Sequence, residues 1–396
     1  MSSAENIINF KQRDLPVSIN KTGWTLFLTG LLLSVIAFIY DPQRSAYNLV
    51  IIFMFVTSVG VGSLFLVALE YVAGAVWSTP FRRVSEFLSS IIFILPFMAL
   101  ILFFNMQNLF EWMRPSVVQA DKVLQGKSSY LNLNFFILRT AVIIGVWFLF
   151  YWLIIRNSKL QDKTKDQNLT TKNIRISAVF MPIFGLLITV LSIDWIMSLE
   201  PHWYSTIFGV YYFSGTVLAG LAALTIVVVL LRENGYMNLG LTKDHYYSLG
   251  ALLFAFTNFW AYIAFSQYLL IWYGNIPEET VWMIERWHGS WKFISLGVIF
   301  LRFVIPYTAL VSQPSKTNPT RLLWVSILIL FSHFYDLYWM IMPSFDKSGL
   351  VFGWIELAFP ILTVGFVILL FYYKVSHNNI IPLGDPKLIR GLDFRL

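Results

Sequence analysis

Ten long apolar segments recur along the sequence, and each is long enough, at about 20 residues, to cross a bilayer as a helix. In lipid, a chain must satisfy its own backbone hydrogen bonds, which a helix does. The sequence therefore predicts an all-α polytopic membrane protein with about ten transmembrane helices. The predicted spans cover residues 22–40, 47–76, 86–108, 133–155, 176–198, 206–231, 247–273, 290–311, 321–342 and 352–374.

Composition agrees with a membrane protein and excludes several kinds of redox site. Only 12% of residues are charged, whereas a soluble protein has about 25%. The chain contains no cysteine, which excludes thiolate-held iron–sulfur clusters, disulfides and c-type haem attachment within it. Of five histidines only His333 falls well inside a span, so a haem held by two facing histidines is not expected, and no metal-binding motif appears.

Lysine and arginine are concentrated in alternate loops, which predicts the orientation. The basic positions are Arg82 and Arg83, the loop 156–175 and the C-terminal tail 375–396. Placing these inside makes both termini cytoplasmic. We therefore expect a cytoplasmic segment 1–21, a ten-helix domain 22–374 and a cytoplasmic tail. The net charge of +7 then reflects loop placement, and no nucleic-acid partner is expected.

Ionisable residues in or beside the apolar segments are the candidate functional residues, because such groups are costly in lipid. The stretch 182–205 shows the pattern best, since an apolar helix carrying a carboxylate ends at Pro201 in a polar loop. The candidates for a proton pathway or a quinol site are Glu70, Asp194, Glu200, His202, His288, Lys292, Arg302, His333, Asp336 and Glu356.

Two of these residues, His333 and Asp336, are three positions apart and share a helix face. Such a pair could exchange a proton with a quinol hydroxyl, because histidine titrates near neutral pH. It could equally be a hydrogen-bonded pair that only joins helices. Charge neutralisation in lipid also predicts that Asp336 or Glu356 pairs with Lys292 or Arg302.

Glu70 lies toward the cytoplasmic end of the second span, in SVGVGSLFLVALEY, residues 58–71. It could take up protons from the inside, reach the interface as a snorkelling side chain, or pair with Arg82 or Arg83. The small residues of the segment are typical of close helix packing in lipid. A nucleotide-binding loop would need a strand before it, which this context lacks.

The segment 58–71 and the following WSTPFRR resemble the second span of the polysulfide-reductase membrane-subunit family, the NrfD-like proteins. Two further segments are more specific and resemble the smaller of two NrfD-like subunits of bacterial alternative complex III, a quinol:cytochrome c oxidoreductase. They are LSIDWIMSLEPHWYSTIFGVYYFSG, residues 191–215, and FWAYIAFSQYLLIWYGNIPEET, residues 259–280. The resemblance covers residues 20–375.

The resemblance implies a fold and a set of partners. It implies two four-helix bundles, about 47–198 and 206–342, with the first and last spans outside them. The implied partners are a larger NrfD-like subunit, an iron–sulfur subunit, haem c subunits, lipids and a terminal oxidase in the bacterial cytoplasmic membrane. Iron–sulfur clusters and haem c then belong to partner subunits, and this chain holds no redox metal. The quinone that it implies is menaquinone.

We therefore expect a subunit of a quinol-oxidising respiratory complex that is not catalytic alone. The resemblance implies that the larger paralogue oxidises quinol. It leaves assembly, proton translocation and quinol binding near the outer face as roles for this chain. The alternative is an independent proton-coupled secondary transporter, because Pro182, Pro306 and Pro360 lie within spans.

Overall fold

The computed structural model describes residues 13–237 and 240–396, so the first part of the predicted segment 1–21 lies outside the described residues. Within them all regular structure is helical, and ten helices are long and apolar enough to cross a membrane. They are α1 (Val17–Tyr40), α2 (Pro42–Ala73), α3 (Thr79–Phe103), α4 (Leu133–Thr164), α5 (Asn168–Leu199), α6 (Phe208–Glu233), α7 (Lys243–Gly274), α8 (Trp291–Leu310), α9 (Pro319–Ser344) and α10 (Trp354–His377). The predicted all-α polytopic membrane fold is confirmed.

The bounds differ from prediction where polar residues begin or extend a helix. The helix α2 begins at Pro42 because the Asp41 side chain accepts from the backbone N–H of Arg44 and caps it. The helix α3 begins at Thr79 and contains two short 3₁₀ turns. We use "inner end" for the end that the lysine and arginine distribution assigns to the cytoplasm, and "outer end" for the opposite one.

Small residues bring α2 and α6 together at the centre of the molecule. A Cβ on Gly220 would lie 2.7 Å from the carbonyl carbon of Gly62. The Ser58 and Thr216 hydroxyls are 3.3 Å apart in the same interface. Each helix thus contributes two small residues four positions apart, Ser58 and Gly62 or Thr216 and Gly220, which lets the backbones approach closely in lipid.

The contacts between α2 and α6 keep a constant sequence separation. Ser58 and Thr216 are 158 residues apart, as are Met54 and Tyr212, whose hydroxyl donates to the Met54 carbonyl at 2.7 Å. A constant separation means that the two helices run parallel and that each of these residues of α2 meets its counterpart 158 positions later in α6. This is the arrangement that a twofold axis between two similar helices produces. The helices α2–α5 pack together on one side of this crossing and α6–α9 on the other.

The helices α1 and α10 pack against each other outside both bundles. Glycines again allow the close approach. A Cβ on Gly30 would lie 2.2 Å from the Leu362 backbone nitrogen, and one on Gly365 would lie 2.3 Å from that of Phe27. The two helices therefore form a peripheral pair that contacts the bundles mainly through α2.

The absence of native cysteine allows a direct test of the orientation. We expect a cysteine at Gln167, in the α4–α5 loop, to react with a membrane-impermeant maleimide only in inside-out vesicles. A cysteine at Gln119, in the loop before α4, should react in intact cells. Both residues are exposed. The opposite labelling pattern would reverse the assignment.

The α2–α6 crossing should be intolerant of larger side chains. We expect Gly62→Leu to lower the free energy of unfolding by about 1–3 kcal/mol, because the backbone of α6 occupies the space. Gly145→Leu is the matched control, since nothing lies within 4 Å of its added Cβ. Denaturant unfolding of the purified variants measures the difference, and equal stability would contradict the packing argument.

Candidate functional site

The middle of α8 departs from regular helix geometry. Residues Phe300–Val304 form a π-helical turn, a rare conformation that often occurs at functional sites. Pro306 follows and has no N–H to donate. Arg302 lies in the π turn and is only 1% exposed. The turn therefore places a guanidinium inside the second bundle.

Arg302 joins three helices. Its Nη2 donates to Nδ1 of His333 at 2.9 Å, and its Nε lies 3.3 Å from Oδ2 of Asp336. Its guanidinium carbon lies 4.7 Å from the centre of the Trp260 ring. The Tyr211 hydroxyl donates to Oδ1 of Asp336 at 2.6 Å. We call Tyr211, Arg302, His333 and Asp336 the Arg302 cluster, and it confirms the predicted pairing of Asp336 with Arg302.

The hydrogen bonds of the cluster fix the state of its histidine. Arginine only donates, so Nδ1 of His333 accepts and the neutral imidazole carries its hydrogen on Nε2. A proton added to Nδ1 would make both groups donors and would separate them. Protonation of His333 is therefore coupled to the position of Arg302.

The cluster is only half satisfied. Among the described residues, neither Nε2 of His333 nor Nη1 of Arg302 has a hydrogen-bond partner. The contact between Arg302 Nε and Asp336 Oδ2 is an ion pair without hydrogen-bond alignment. Each unsatisfied buried polar group costs about 1–3 kcal/mol. In such a network a group can change its hydrogen-bond partner at a smaller cost in free energy than in a network whose groups are all paired.

Gly215 of α6 provides the space for the Arg302–His333 contact. A Cβ there would lie 2.6 Å from Arg302 Nη2 and 3.0 Å from Cε1 of His333. Gly215 is adjacent in sequence to Thr216, which contacts α2. The α2–α6 crossing and the Arg302 cluster therefore share one stretch of α6.

Aromatic rings surround the candidate residues. The Phe55 ring lies 5.9 Å from that of His333, and buried Trp260 covers Arg302. Two cavities, of about 490 and 330 Å³, lie elsewhere, and no residue of the Arg302 cluster lines either. The Phe55 and Trp260 rings thus cover two members of the cluster, His333 and Arg302.

Asp194 forms a saturated pair in the first bundle. Arg139 of α4 binds it in a bidentate way, at 2.8 Å from Nε and 3.0 Å from Nη2. The Tyr130 hydroxyl donates to it at 3.0 Å. Burial and this carboxylate raise the pKa of Tyr130 to about 12, so the phenol stays a donor at neutral pH. Asp194 is fully buried. Its ion pair with Arg139 holds α5 against α4.

Glu356 pairs with Arg44, and the predicted pairing with Lys292 or Arg302 is wrong. Arg44 Nε donates to Glu356 at 2.7 Å, and Asn48 Nδ2 donates to it at 3.0 Å. The reason is that α10 packs on α1 and α2, and not on α8. Lys292 is exposed and lies 5.1 Å from the centre of the neighbouring Phe293 ring.

Glu70 is buried in an ion network at the inner end, which excludes the snorkelling alternative. Arg82 and Thr79 each donate to it at 3.0 Å. The pairing of Glu70 with Arg82 that the sequence allowed is therefore confirmed. We call the connected residues the inner network. Its members are Glu70, Arg82, Arg83, Glu86, Asp162 and Asp385.

Glu200 lies in a paired position at the outer end. Arg286 Nη2 contacts it at 3.2 Å, and the Ser344 hydroxyl donates to it at 2.7 Å. Burial lowers the pKa of Arg286, and the Glu200 carboxylate opposes that shift. Arg286 also donates to the Met340 carbonyl at 2.7 Å, one helical turn beyond Asp336 on α9.

The two predicted loop histidines are not brought to the cluster. His202 is 56% exposed at its side chain and lies 2.7 Å from a carboxylate oxygen of Asp121. His288 is exposed, and its Nδ1 lies 2.6 Å from the Ile284 carbonyl. Both are surface residues of this chain, as is Lys292. Among the described residues, no three His, Asp or Glu side chains are grouped so that they could hold a metal ion.

Sequence reasoning missed three important partners. Arg44 was excluded because the predicted span began too late, although Asp41 followed by Pro42 is a signal for a helix start. Tyr211 gives no signal among 19 tyrosines. Arg286 falls between the predicted spans 247–273 and 290–311, and only the folded arrangement shows that it is 1% exposed.

In comparisons with known proteins, no protein-family model and no curated protein matches this chain.

A double-mutant cycle should measure the coupling between Arg302 and Asp336. We expect Arg302→Met to lower the free energy of unfolding by about 3–5 kcal/mol, because it leaves a buried carboxylate without its counter-charge. The double variant Arg302→Met/Asp336→Leu should lose less than the sum of the two single variants. Arg175→Met, at an exposed arginine of α5, is the control. Strictly additive losses would mean that the pair is not coupled.

Proposed function

We propose that this chain is an integral membrane subunit of a quinol-oxidising electron-transfer complex of the alternative complex III kind. We place it in the bacterial cytoplasmic membrane. The resemblance of residues 58–71, 191–215 and 259–280 to the smaller NrfD-like subunit supports this assignment. The multi-pass fold, with two packed groups of four helices and a peripheral pair, is compatible with it.

Within that complex, we propose that the Arg302 cluster binds and releases protons. The observation that supports this role is the contrast between the buried charges. The pairs at Asp194 and Glu356 are saturated, whereas the Arg302 cluster, within the part of the chain that the structure describes, keeps unpartnered donors at a π turn. Pairs in which every group is hydrogen-bonded hold helices together. A network with unpaired groups at a π turn can instead change its hydrogen bonds when a proton binds.

The proposed proton step uses only groups of this chain. A proton binds Nδ1 of His333 and displaces Arg302, because the two can no longer share one hydrogen bond. Arg302 then keeps its counter-ion, Asp336. The Tyr211 hydroxyl contacts the same carboxylate and can exchange its hydrogen with it. Return of Arg302 to Nδ1 releases the proton.

The electron-transfer partners follow from the same proposal. A larger NrfD-like subunit would bind quinol, with menaquinone as the expected species. An iron–sulfur subunit and haem c subunits would take the electrons and pass them toward a terminal oxidase. This chain then contributes assembly and proton movement.

A second candidate, a proton-coupled secondary transporter, is favoured by one observation. The helix α8 is irregular at its middle, with a π turn at Arg302 and Pro306 after it, and transporters often have irregular helices near their binding sites. Purification in a mild detergent separates the two proposals. Co-purifying haem c and iron–sulfur subunits support the first, and a lone active carrier supports the second.

The proton role predicts different effects for two buried carboxylates. In the assembled complex we expect Asp336→Asn to lower quinol turnover or proton release at least about tenfold, a loss typical of a positioned proton-transfer group. Glu356→Gln neutralises a buried carboxylate that is paired with Arg44 and should change the rate by less than about twofold. Proton release in vesicles, measured with a pH dye, compares them. Wild-type stoichiometry in Asp336→Asn would overturn the proton role.

A further inference from the structure

The inner part of α4 carries a row of cations. Arg156, Lys159 and Lys163 are spaced three and four residues apart, so they lie along one face of the helix. The helix has 32 residues, whereas about 20 cross the hydrocarbon core. Its last turns, which contain these cations, therefore extend to the depth of the lipid headgroups.

A cavity of about 490 Å³ opens along this row. Lys374, in the last turn of α10, lines it from the opposite side, and Phe93 of α3 lies between them. The Lys374 ammonium lies 5.7 Å from the centre of the Phe93 ring. We call this feature, lined by Arg156, Lys159, Lys163, Lys374 and Phe93, the basic groove.

The cations of the basic groove have no acidic partner. Among the described residues, none of the four lies within 4.0 Å of a carboxylate oxygen. The two carboxylates that act electrostatically on Lys159 are also bound to an arginine. Glu86 and Asp162 each bind Arg83 at 2.5 Å. Four like charges thus line one groove without an ion-pair partner among the described residues, which favours an anion between them.

The apolar part of the groove indicates the kind of anion. Phe93 is 43% exposed and Trp152 is 51% exposed. Arg156 lies 4.8 Å from the centre of the Trp152 ring, which places a cation at the boundary between polar and apolar surroundings. A soluble anion would use the cations and leave these rings uncovered. An amphiphile would use both parts of the groove.

We propose that the basic groove binds an anionic phospholipid. The phosphodiester would contact Lys159, Lys374 and Arg156, and the acyl chains would cover Phe93 and Trp152. Basic pockets between helices at the cytoplasmic side commonly bind such headgroups. A lipid with two phosphates, such as cardiolipin, matches four cations better than a lipid with one. This inference does not depend on the proposed respiratory function.

Native mass spectrometry of the full chain, with any subunits that co-purify, tests the proposal. The protein is placed in phosphatidylcholine nanodiscs that contain a minor fraction of cardiolipin or phosphatidylglycerol, and the retained lipids are counted. We expect Lys159→Gln/Lys374→Gln to lower retention of cardiolipin about tenfold. Lys172→Gln/Arg175→Gln removes two exposed cations from the inner end of the neighbouring α5 and should retain it.

Four results would overturn the assignment. Equal retention by the two double variants would place the lipid elsewhere. Equal retention of phosphatidylcholine and cardiolipin by the wild type would remove the need for a negative charge. Displacement of the lipid by inorganic phosphate would make the groove a site for free anions. Loss of a co-purifying protein from Lys159→Gln/Lys374→Gln would assign the groove to a protein partner.

Discussion

A guanidinium buried among apolar helices must keep a carboxylate beside it, and this constraint orders the helices of the protein. Arg139 holds α5 to α4, Arg302 holds α9 to α8, and Arg44 holds α10 to α2. Because lipid contains no water to solvate the separated groups, any packing that separates one of these pairs leaves two unpaired charges in an apolar environment. Each pair thereby disfavours alternative arrangements of apolar helices that would otherwise pack almost equally well.

Each bundle has an arginine–aspartate ion pair between equivalent helices, but the two pairs differ in their hydrogen bonds. In each bundle the third helix supplies an arginine and the fourth an aspartate, as Arg139 and Asp194 or as Arg302 and Asp336. The first pair is bidentate and saturated. The second pair shares its arginine with His333 and leaves donors unpartnered. The same arrangement of helices thus contains a fully paired site in the first bundle and, in the second bundle, a site whose hydrogen-bond partners can change.

Much of this arrangement could be predicted from the sequence, because span length and local spacing are local properties. The ten helices and the shared face of His333 and Asp336 needed only hydropathy and the helical period. The partner of Glu356 could not be predicted, because it depends on which helices α10 touches. The α2–α6 repeat was visible in principle, since Ser58 and Thr216 each precede a glycine by four residues. It is too short to stand out in an apolar chain.

The Arg302 cluster lies close to a second ion pair, at the outer end of α9. Toward the inner end, the last side-chain hydroxyl of α2 before Glu70 is Ser63, which bonds its own helix. Their separation of seven positions corresponds to roughly 10 Å along the helix, well beyond one proton transfer between hydrogen-bonded groups. Toward the outer end, Asp336 lies one turn from the Met340 carbonyl that binds Arg286, the partner of Glu200. The Arg286–Glu200 pair thus meets α9 one turn from the cluster, on the side where the proposed complex would release the protons of quinol.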